Sequence, residues 1–513
     1  MPKSIYLINP ASDFPTYFGS ESYYGYGFKP ATTIGDLATT TIAAMMSGQL
    51  DVIIADESIS PIDYNCPADF IGITGKISQR NRMLAIAREF RKRGKVVLIG
   101  GPYASLSPES LRPHCDILVR GEVENIIDQI SSDLVTGRWK EEYVGDKPDL
   151  NGSILPLWEH YPNERALLGA VQTSRGCPFQ CEFCDVIQYL GRKQRHKPIP
   201  QVLRELDLLY RCGYRSVFLA DDNFTVVRNR AKELLAALKE WNCSRTDGKV
   251  SFTTQVSIDS SRDDELLRMC AEAGLTSVFI GIETSNETSL SETKKYQNLN
   301  LNLSEQVQRF LDNGIYVFGG MIVGFDSDGP DVFERQYQFA MSTSIPIFSI
   351  GALVAPEATP LYDRMKKADR LVSGGSEMAA TPWDTNMIPR QMTREQLLVG
   401  TQWLCNSLYH PTAFGERVLK FINNFGDRRD PRGMEPSRYF TSGRPVEADI
   451  LALTRKIVSL GPEEETMWNS IIRATARKRS VREFVVQILG RYLQIRYMYK
   501  KGSFWNGDLA LTS

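Results

Sequence analysis

Short apolar runs alternate with amphipathic stretches along the first 150 residues. "SIYLIN" precedes a long aromatic and glycine-rich loop (Phe14 to Lys29), after which come "DLATTTIAAMMSG", "DVIIAD" and "DFIGITG". The amphipathic "RNRMLAIAREFRKRG" follows, then "KVVLIGG", "DILVRGE" and "ENIIDQISSDL". Strands that are apolar throughout and separated by helices belong to a parallel sheet covered on both faces. The pattern predicts a doubly wound, Rossmann-like domain over residues 1–150. Ligands of such sheets sit beyond the C-terminal strand ends, here Asn9 to Ser12, Thr74 to Ser78, Gly100 to Ser105 and Gly121 to Glu124. Glycines at those places also serve simply as turn formers.

Residues 144–164, rich in proline and without a period, read as a linker. The alternation then restarts with "LLGAVQTS", "SVFLADDN", "VSFTTQVSI", "SVFIGIET", "IYVFGGMIVGF" and "FSIGALVAP". Helices are predicted between them over 198–212, 227–241, 263–274, 303–313 and 330–342. Strand and helix repeating six times predict a partial, TIM-like (β/α)6 barrel over 165–375. From 376 to 513 strands give way to helical patterns, notably 395–422 and 446–500, so the fold class is α/β with a helical C-terminal domain.

Composition narrows the field little. The 513 residues are 42% hydrophobic and 24% charged, with a formal net charge of -1, so bulk charge favours no partner and gives no basic excess for nucleic acid. The apolar run "IPIFSIGALVAP" falls well short of the ~18 residues of a membrane span. The N-terminus lacks the apolar core and cleavage site of a signal peptide, which predicts a cytoplasmic protein. Nine unevenly spread cysteines fit reduced thiols better than a disulfide framework.

Three of them, Cys177, Cys181 and Cys184, form CxxxCxxC directly after the first barrel strand. A structural zinc site takes four Cys or His ligands, and no fourth stands at short spacing. The nearest histidine, His196, lies in the basic run "GRKQRHK", which reads as solvated or phosphate-facing. A redox CxxC pair leaves the third thiol without a role. What remains is a 4Fe-4S cluster, whose irons normally take four thiolates. Three thiolates leave one iron open to a substrate or cofactor.

CxxxCxxC in this place, with aromatic Phe183 before the last cysteine, resembles the radical S-adenosylmethionine superfamily. The resemblance implies that the open iron chelates S-adenosylmethionine, whose reductive cleavage gives methionine and a 5'-deoxyadenosyl radical. It implies that Asp221, Asp222 and Asn223 hold the methionine amino group, and that Gln255, Ser257 and Glu283 meet the ribose and carboxylate. Gly320 and Ile322 of "GGMIVGFD" would lie along the adenine, flanked by Phe183. Taken singly, Asp222 also fits a helix cap and Gln255 an ordinary barrel polar residue.

A doubly wound domain ahead of such a barrel resembles the cobalamin-binding subclass, and "LINP", "GGPYASLSPE" and "RGEVEN" carry that likeness. It implies cobalamin contacts at Asn9, Thr74, Gly75, Gly100, Gly101, Pro102, Tyr103, Gly121 and Glu122, with Tyr103 either beside the cobalt or packed on its loop. "TSRGCPFQCEFCDVIQYLGRK", "DDNF", "GIET", "TKKYQN" and "GFDSDGPDVFERQ" are similar to a branch with an extra C-terminal domain that includes relatives of hopanoid C-methylases. One departure stands out. The Asp-x-His-x-x-Gly loop of many corrinoid proteins is missing, and His114, His160, His196 and His410 lie in other contexts. A bound cobalamin and an empty scaffold both remain open.

The implied activity is cobalamin-dependent methyl transfer to an unactivated carbon. Methyl passes to cobalamin from one S-adenosylmethionine, and a second supplies the radical that opens the substrate carbon. Epimerisation, rearrangement or carbon-carbon bond formation without cobalamin is the alternative on the same barrel; a corrinoid sensor without turnover is another. The implied partners are a small-molecule, lipid or peptide substrate and a reductant such as flavodoxin or ferredoxin. The protein's share is alignment and exclusion of water, so no acid or base is assigned. Residues 471–501 hold nine Lys or Arg against one Glu. They read as a surface for an anionic or lipid-bearing partner, or as an amphipathic helix with Ile471, Ile472, Phe484, Val485, Ile488, Leu489 and Leu493 inside and the charges outside.

Overall fold

The computed structural model describes residues 2–372, 381–426 and 443–506. Strand β1 (Ser4–Asn9) is followed by β2 (Thr32–Ile34), which leaves for another sheet, and then by β3 (Asp51–Asp56), β4 (Phe70–Thr74), β5 (Val96–Gly100), β6 (Ile117–Arg120) and β7 (Glu142–Val144). These pair in the order β3-β1-β4-β5-β6-β7, all parallel. Alternate residues of each strand point to opposite faces. Ile8, Ile71, Ile73 and Ile99 therefore meet Met83, Ile86 and Phe90 of helix Arg80–Lys92 on one side. Ile5, Leu7, Phe70 and Leu98 meet helices Leu37–Met46 and Ile127–Thr136 on the other. The doubly wound domain is present, and its strand order reverses between β1 and β4, placing a crevice beyond Asn9 and Thr74.

The second sheet begins with β8 (Ala166–Val171). After a two-residue hairpin of β9 (Ser174–Arg175) and β10 (Arg195–His196), it continues through β11 (Ser216–Leu219), β12 (Ser251–Gln255), β13 (Leu275–Glu283), β14 (Tyr316–Val323) and β15 (Phe348–Ala352). Its order is β15-β14-β13-β12-β11-β8-β2, again parallel, an open half-barrel. All six predicted strands are there. The seventh, β2, comes from inside the first 150 residues and sets Thr32 against Ala166 and Ile34 against Leu168.

The aromatic stretch Phe14 to Lys29 thus does more than join two elements of the first domain. It contains the helix Glu21–Gly25 and is stitched to the C-terminal helix Arg482–Lys501. The Tyr17 and Tyr499 hydroxyls meet at 2.7 Å, Gln494 Nε2 donates to Thr16 O at 2.9 Å, and Arg491 Nη1 donates to Tyr17 O at 2.6 Å. The predicted helix 395–422 is two, Arg394–Tyr409 and Pro411–Asn424, broken where Pro411 removes a backbone donor. Helices Pro445–Thr454, Pro462–Arg477 and Arg482–Lys501 follow. The boundary expected at 375/376 lies outside the described residues. No described helix is long and apolar enough to cross a membrane.

Of the seven residues expected inside the C-terminal helices, six are buried and Ile472 is 41% exposed. It follows Ile471 on one helix, and successive residues of a helix point about 100° apart. The charges are not all outside either, since Arg491 turns inward to the loop at Tyr17.

Candidate active site

The cysteine loop is held open by its own chain. Asp221, at the end of β11, accepts the amides of Thr173 and Ser174 at 2.7 Å each and the Thr173 hydroxyl. Gly176 follows at φ 93°, where a Cβ would lie 2.7 Å from Lys193 O, so only glycine fits that turn. Cys177 N donates to Gly191 O at 3.2 Å and Cys184 N to Cys181 O at 3.1 Å. Asp221 therefore spends its carboxylate on the loop, and its neighbour Asp222 is the one that faces open space.

Beside the thiols lies a charge pair. Lys295 Nζ reaches Glu283 Oε1 at 2.8 Å, with side-chain exposures of 14% and 9%. Burial works against the lysine's charge, but Glu283 and Cys181 outweigh it and hold its pKa above the usual value. Gln297 Nε2 donates to Cys181 Sγ at 3.5 Å. Burial pushes the Cys184 thiol up to about 12 and raises Cys177, and both feel the Lys295 charge. A largely buried ammonium beside one buried thiol and two half-buried ones suits an anionic thiolate-bound group. Among the described residues no three His, Cys, Asp or Glu side chains converge on one metal ion. Three thiols on one loop beside a largely buried cation are a donor set that fits a cluster, whose irons take one thiolate each.

Around this loop the predicted S-adenosylmethionine residues fall into two groups. Asp222 Oδ2 accepts Gly176 N at 2.9 Å, and burial pushes its carboxyl up to about 6. Asn223 Nδ2 donates to Ser257 Oγ at 2.5 Å, while its Oδ1 is buried without a partner. Such an atom asks for a donor, and a ligand amino group would supply one. On the other side Phe183 and Ile322 both pack against the cluster that contains Phe325, the Phe183 ring lying 6.2 Å from that of Phe325. Gly320 leaves room for Phe279, which would lie 2.9 Å from a Cβ there. Glu283 sits at φ 64° where β13 slips register against β14, and its carboxylate is taken by Lys295. Gln255 points into the barrel interior.

A cavity of about 950 Å³ joins the two sheets. Asn9, Thr74, Gly75, Gly101, Pro102, Gly121 and Glu122 line it from the first domain, and Gln172, Phe218, Ala220 and Asp222 from the barrel mouth. That is the upper end of small-molecule cavities, a fit for a large cofactor. Two expected contacts lie elsewhere: Gly100 is absent from the wall, and Tyr103 is buried in the first domain's core with its hydroxyl accepting from Ser110 Oγ at 2.9 Å. Glu122 lines the wall, but its carboxylate pairs with Arg175 and Arg195, each at 2.5 Å. The run "GRKQRHK" is correspondingly less solvated than expected, since Arg195 joins that pair and Lys197 is buried against Glu205 at 2.7 Å. Lys295, Gln297 and Arg175 carry the site without having been singled out. The signal was present for the first two, inside "TKKYQN".

Comparison with known proteins follows the same divisions. Residues 171–340 match the family model of the radical SAM superfamily, and 359–499 match a domain of unknown function, DUF4070. An uncharacterized methyltransferase of Synechocystis is 34% identical over 66% of this chain and 63% of its own length. The hopanoid C-2 methylase of Rhodopseudomonas palustris is 34% identical over 64% of each chain. This chain thus spans less than two thirds of the length of those two relatives. Among solved structures, the cobalamin-dependent S-adenosylmethionine radical enzyme OxsB with aqua-cobalamin bound matches 98% of this chain and 80% of its own, with a TM-score of 0.60 and 14% identity, a likeness of fold.

Proposed function

We propose that this chain, whose residues 171–340 match the radical S-adenosylmethionine superfamily, is a cobalamin-dependent C-methyltransferase acting on an unactivated carbon. The observation that carries this reading is the single cavity walled by both the strand ends of the first sheet and the residues beside the cysteine loop. A methyl carrier and a radical source must share one space, and this fold provides one. The relatives named as methylases support the same chemistry.

Cys177, Cys181 and Cys184 would hold the 4Fe-4S cluster, and Asn9, Thr74, Gly75 and Gly101 the cobalamin. When bound, the cluster with S-adenosylmethionine supplies a carbon-centred radical and cobalamin a transferable methyl group, chemistry that side chains lack. The chain's own work is placement. Asp222 and Asn223 Oδ1 offer acceptors to the methionine amino group, and Phe183 with Ile322 forms a wall for the adenine. Lys295 balances the charge of the thiolates and of Glu283. Phe18 and Phe218 at the inner rim keep water from the reacting carbon. A one-electron donor such as flavodoxin or ferredoxin is required, and a reducing cytoplasm suits thiolate-bound iron.

The test is anaerobic reconstitution with iron, sulfide and hydroxocobalamin followed by desalting. About four irons and about one cobalt per chain, with turnover of S-adenosylmethionine to methionine and 5'-deoxyadenosine, are expected. Iron and cleavage without retained cobalt would overturn the methyl-transfer reading and leave radical chemistry of another outcome.

A further inference from the structure

The half-barrel is hollow. Inward-pointing positions recur every second residue along its strands, and six of the residues facing that space, Phe18, Ile34, Leu168, Phe218, Phe279 and Phe318, wall a chamber of about 490 Å³. Closed barrels fill their interiors with layers of side chains; this open half-barrel instead leaves a concave, largely apolar space of the size that small-molecule sites have. Phe18 is 43% exposed although it lies between Phe279 and Phe318, with ring centroids 5.7 and 5.0 Å away. Its bare surface faces the chamber and the cofactor cavity, because it lines both.

Several of the chamber's polar groups have partners of their own, although the Tyr23 hydroxyl is buried without one. Thr253 and Ser277 share a hydrogen bond at 2.5 Å, Ser216 bonds Ser251 at 3.2 Å, and Glu447 is paired with Arg444 at 3.2 Å. Lys76 stands at the rim common to both cavities. Arg491 is the cation that belongs to the chamber alone. Its Nη1 donates to Tyr17 O and to Gly19 O at 3.2 Å, two neutral acceptors, and among the described residues no carboxylate forms an ion pair with it. The near carboxylate, Glu21, instead takes the amide of Gln494. Burial works against the guanidinium's charge, lowering its pKa.

We propose that this chamber is the substrate's compartment, that the substrate is a predominantly apolar small molecule bearing one anionic group, and that Arg491 selects that group. The inference rests on the radical methyltransferase reading above for what happens to the substrate, but not for what the chamber admits. An unpaired guanidinium in an apolar wall binds a carboxylate or phosphate far better than a hydroxyl, and the aromatic wall rewards an apolar body.

The test uses the full chain with its cluster reconstituted and a fluorescent polyene fatty acid, parinaric acid, against the corresponding alcohol. The acid is expected to bind at least tenfold more tightly than the alcohol. Arg491→Gln abolishes that preference, Arg491→Lys keeps most of it, and Leu168→Trp, which fills the chamber, weakens both probes. Equal binding of acid and alcohol by the unaltered protein, or a preference that survives in Arg491→Gln, overturns the proposal. Release of 5'-deoxyadenosine from the same preparations is scored separately. Its absence alongside an intact acid preference would sink the radical reading and leave the chamber's selectivity standing.

Discussion

Glu122 and Arg175 meet at 2.5 Å across the junction of the two sheets. Glu122 follows β6 and lines the large cavity; Arg175 stands two residues before Cys177. Arg195, from the strand that returns after the cysteine loop, takes the other oxygen of the same carboxylate at 2.5 Å, and Glu124 adds a second acid to Arg175 at 2.5 Å. The residues that bracket the cysteines are therefore clamped to the domain that lines the cofactor cavity.

Removing one member of such a buried network strands the others. Glu122→Gln leaves two arginines, 17% and 13% exposed, with Glu124 as their remaining acid, and should destabilise the protein by about 3 kcal/mol. Glu124→Gln should cost less because Glu122 still serves both arginines. Urea unfolding of the two variants checks the order, and equal losses would count against the clamp.

Gly101 makes a sharper local prediction. It sits at φ 94°, and a Cβ there would lie 2.6 Å from Thr74 Oγ1 and 3.0 Å from Gly75 N. Gly101→Ala should destabilise by about 2 kcal/mol through backbone strain and crowding and lower the cobalt retained after desalting. A variant with unchanged stability and cobalt would show that the loop yields without consequence.

Apart from β7 (Glu142–Val144), three residues long and running into the stretch that reads as a linker, the first sheet and six strands of the second were legible, most of them as short apolar runs, the simplest signal a sequence carries. β2 was not: Thr32–Ile34 is three residues, two of them polar, and it becomes a strand only because β8 offers an edge. The role of Tyr17 and Thr16 depends on Tyr499 and Gln494, partners more than 470 residues away. Cys177, Cys181 and Cys184 announce themselves by spacing on one loop. Lys295 and Glu283 are twelve residues apart on elements of different kinds, so their pairing appears only when β13 ends beside the loop that carries Lys295. Tyr103 shows the converse. Its position after a strand suggested a cofactor contact, whereas its ring completes the core.

Asp56 gives the fold a pH dependence. It ends β3, is 1% exposed, and accepts Tyr161 OH at 2.6 Å, Ser58 N at 2.9 Å and Asn9 Nδ2 at 3.2 Å. Burial pushes its carboxyl from an ordinary 3.8 up to about 6. Between those values the folded protein binds more proton than the unfolded chain, so the stabilising contribution is complete below the lower value and is lost as pH rises through the upper one. The difference is about 3 kcal/mol. From pH 4 to pH 7 the unaltered protein should lose roughly that much stability relative to Asp56→Asn. Parallel stability curves would refute the assignment.

Lys295 separates a folding role from a chemical one. Lys295→Met leaves Glu283 as a lone buried charge, which should cost about 3 to 5 kcal/mol. It also removes the cation beside Cys181 and Cys184, making an added electron less welcome on the cluster. Iron should stay near four per chain because the three thiols are untouched, while release of 5'-deoxyadenosine falls at least about a hundredfold. The double change Lys295→Met with Glu283→Leu removes both charges, and replacing a buried pair by apolar groups is often neutral or stabilising. It should therefore regain stability without regaining cleavage. If cleavage returns together with stability, Lys295 serves only to neutralise Glu283; if cleavage stays lost in a well-folded, iron-loaded protein, the charged pair itself, the Lys295 ammonium with the Glu283 carboxylate, is what the chemistry requires.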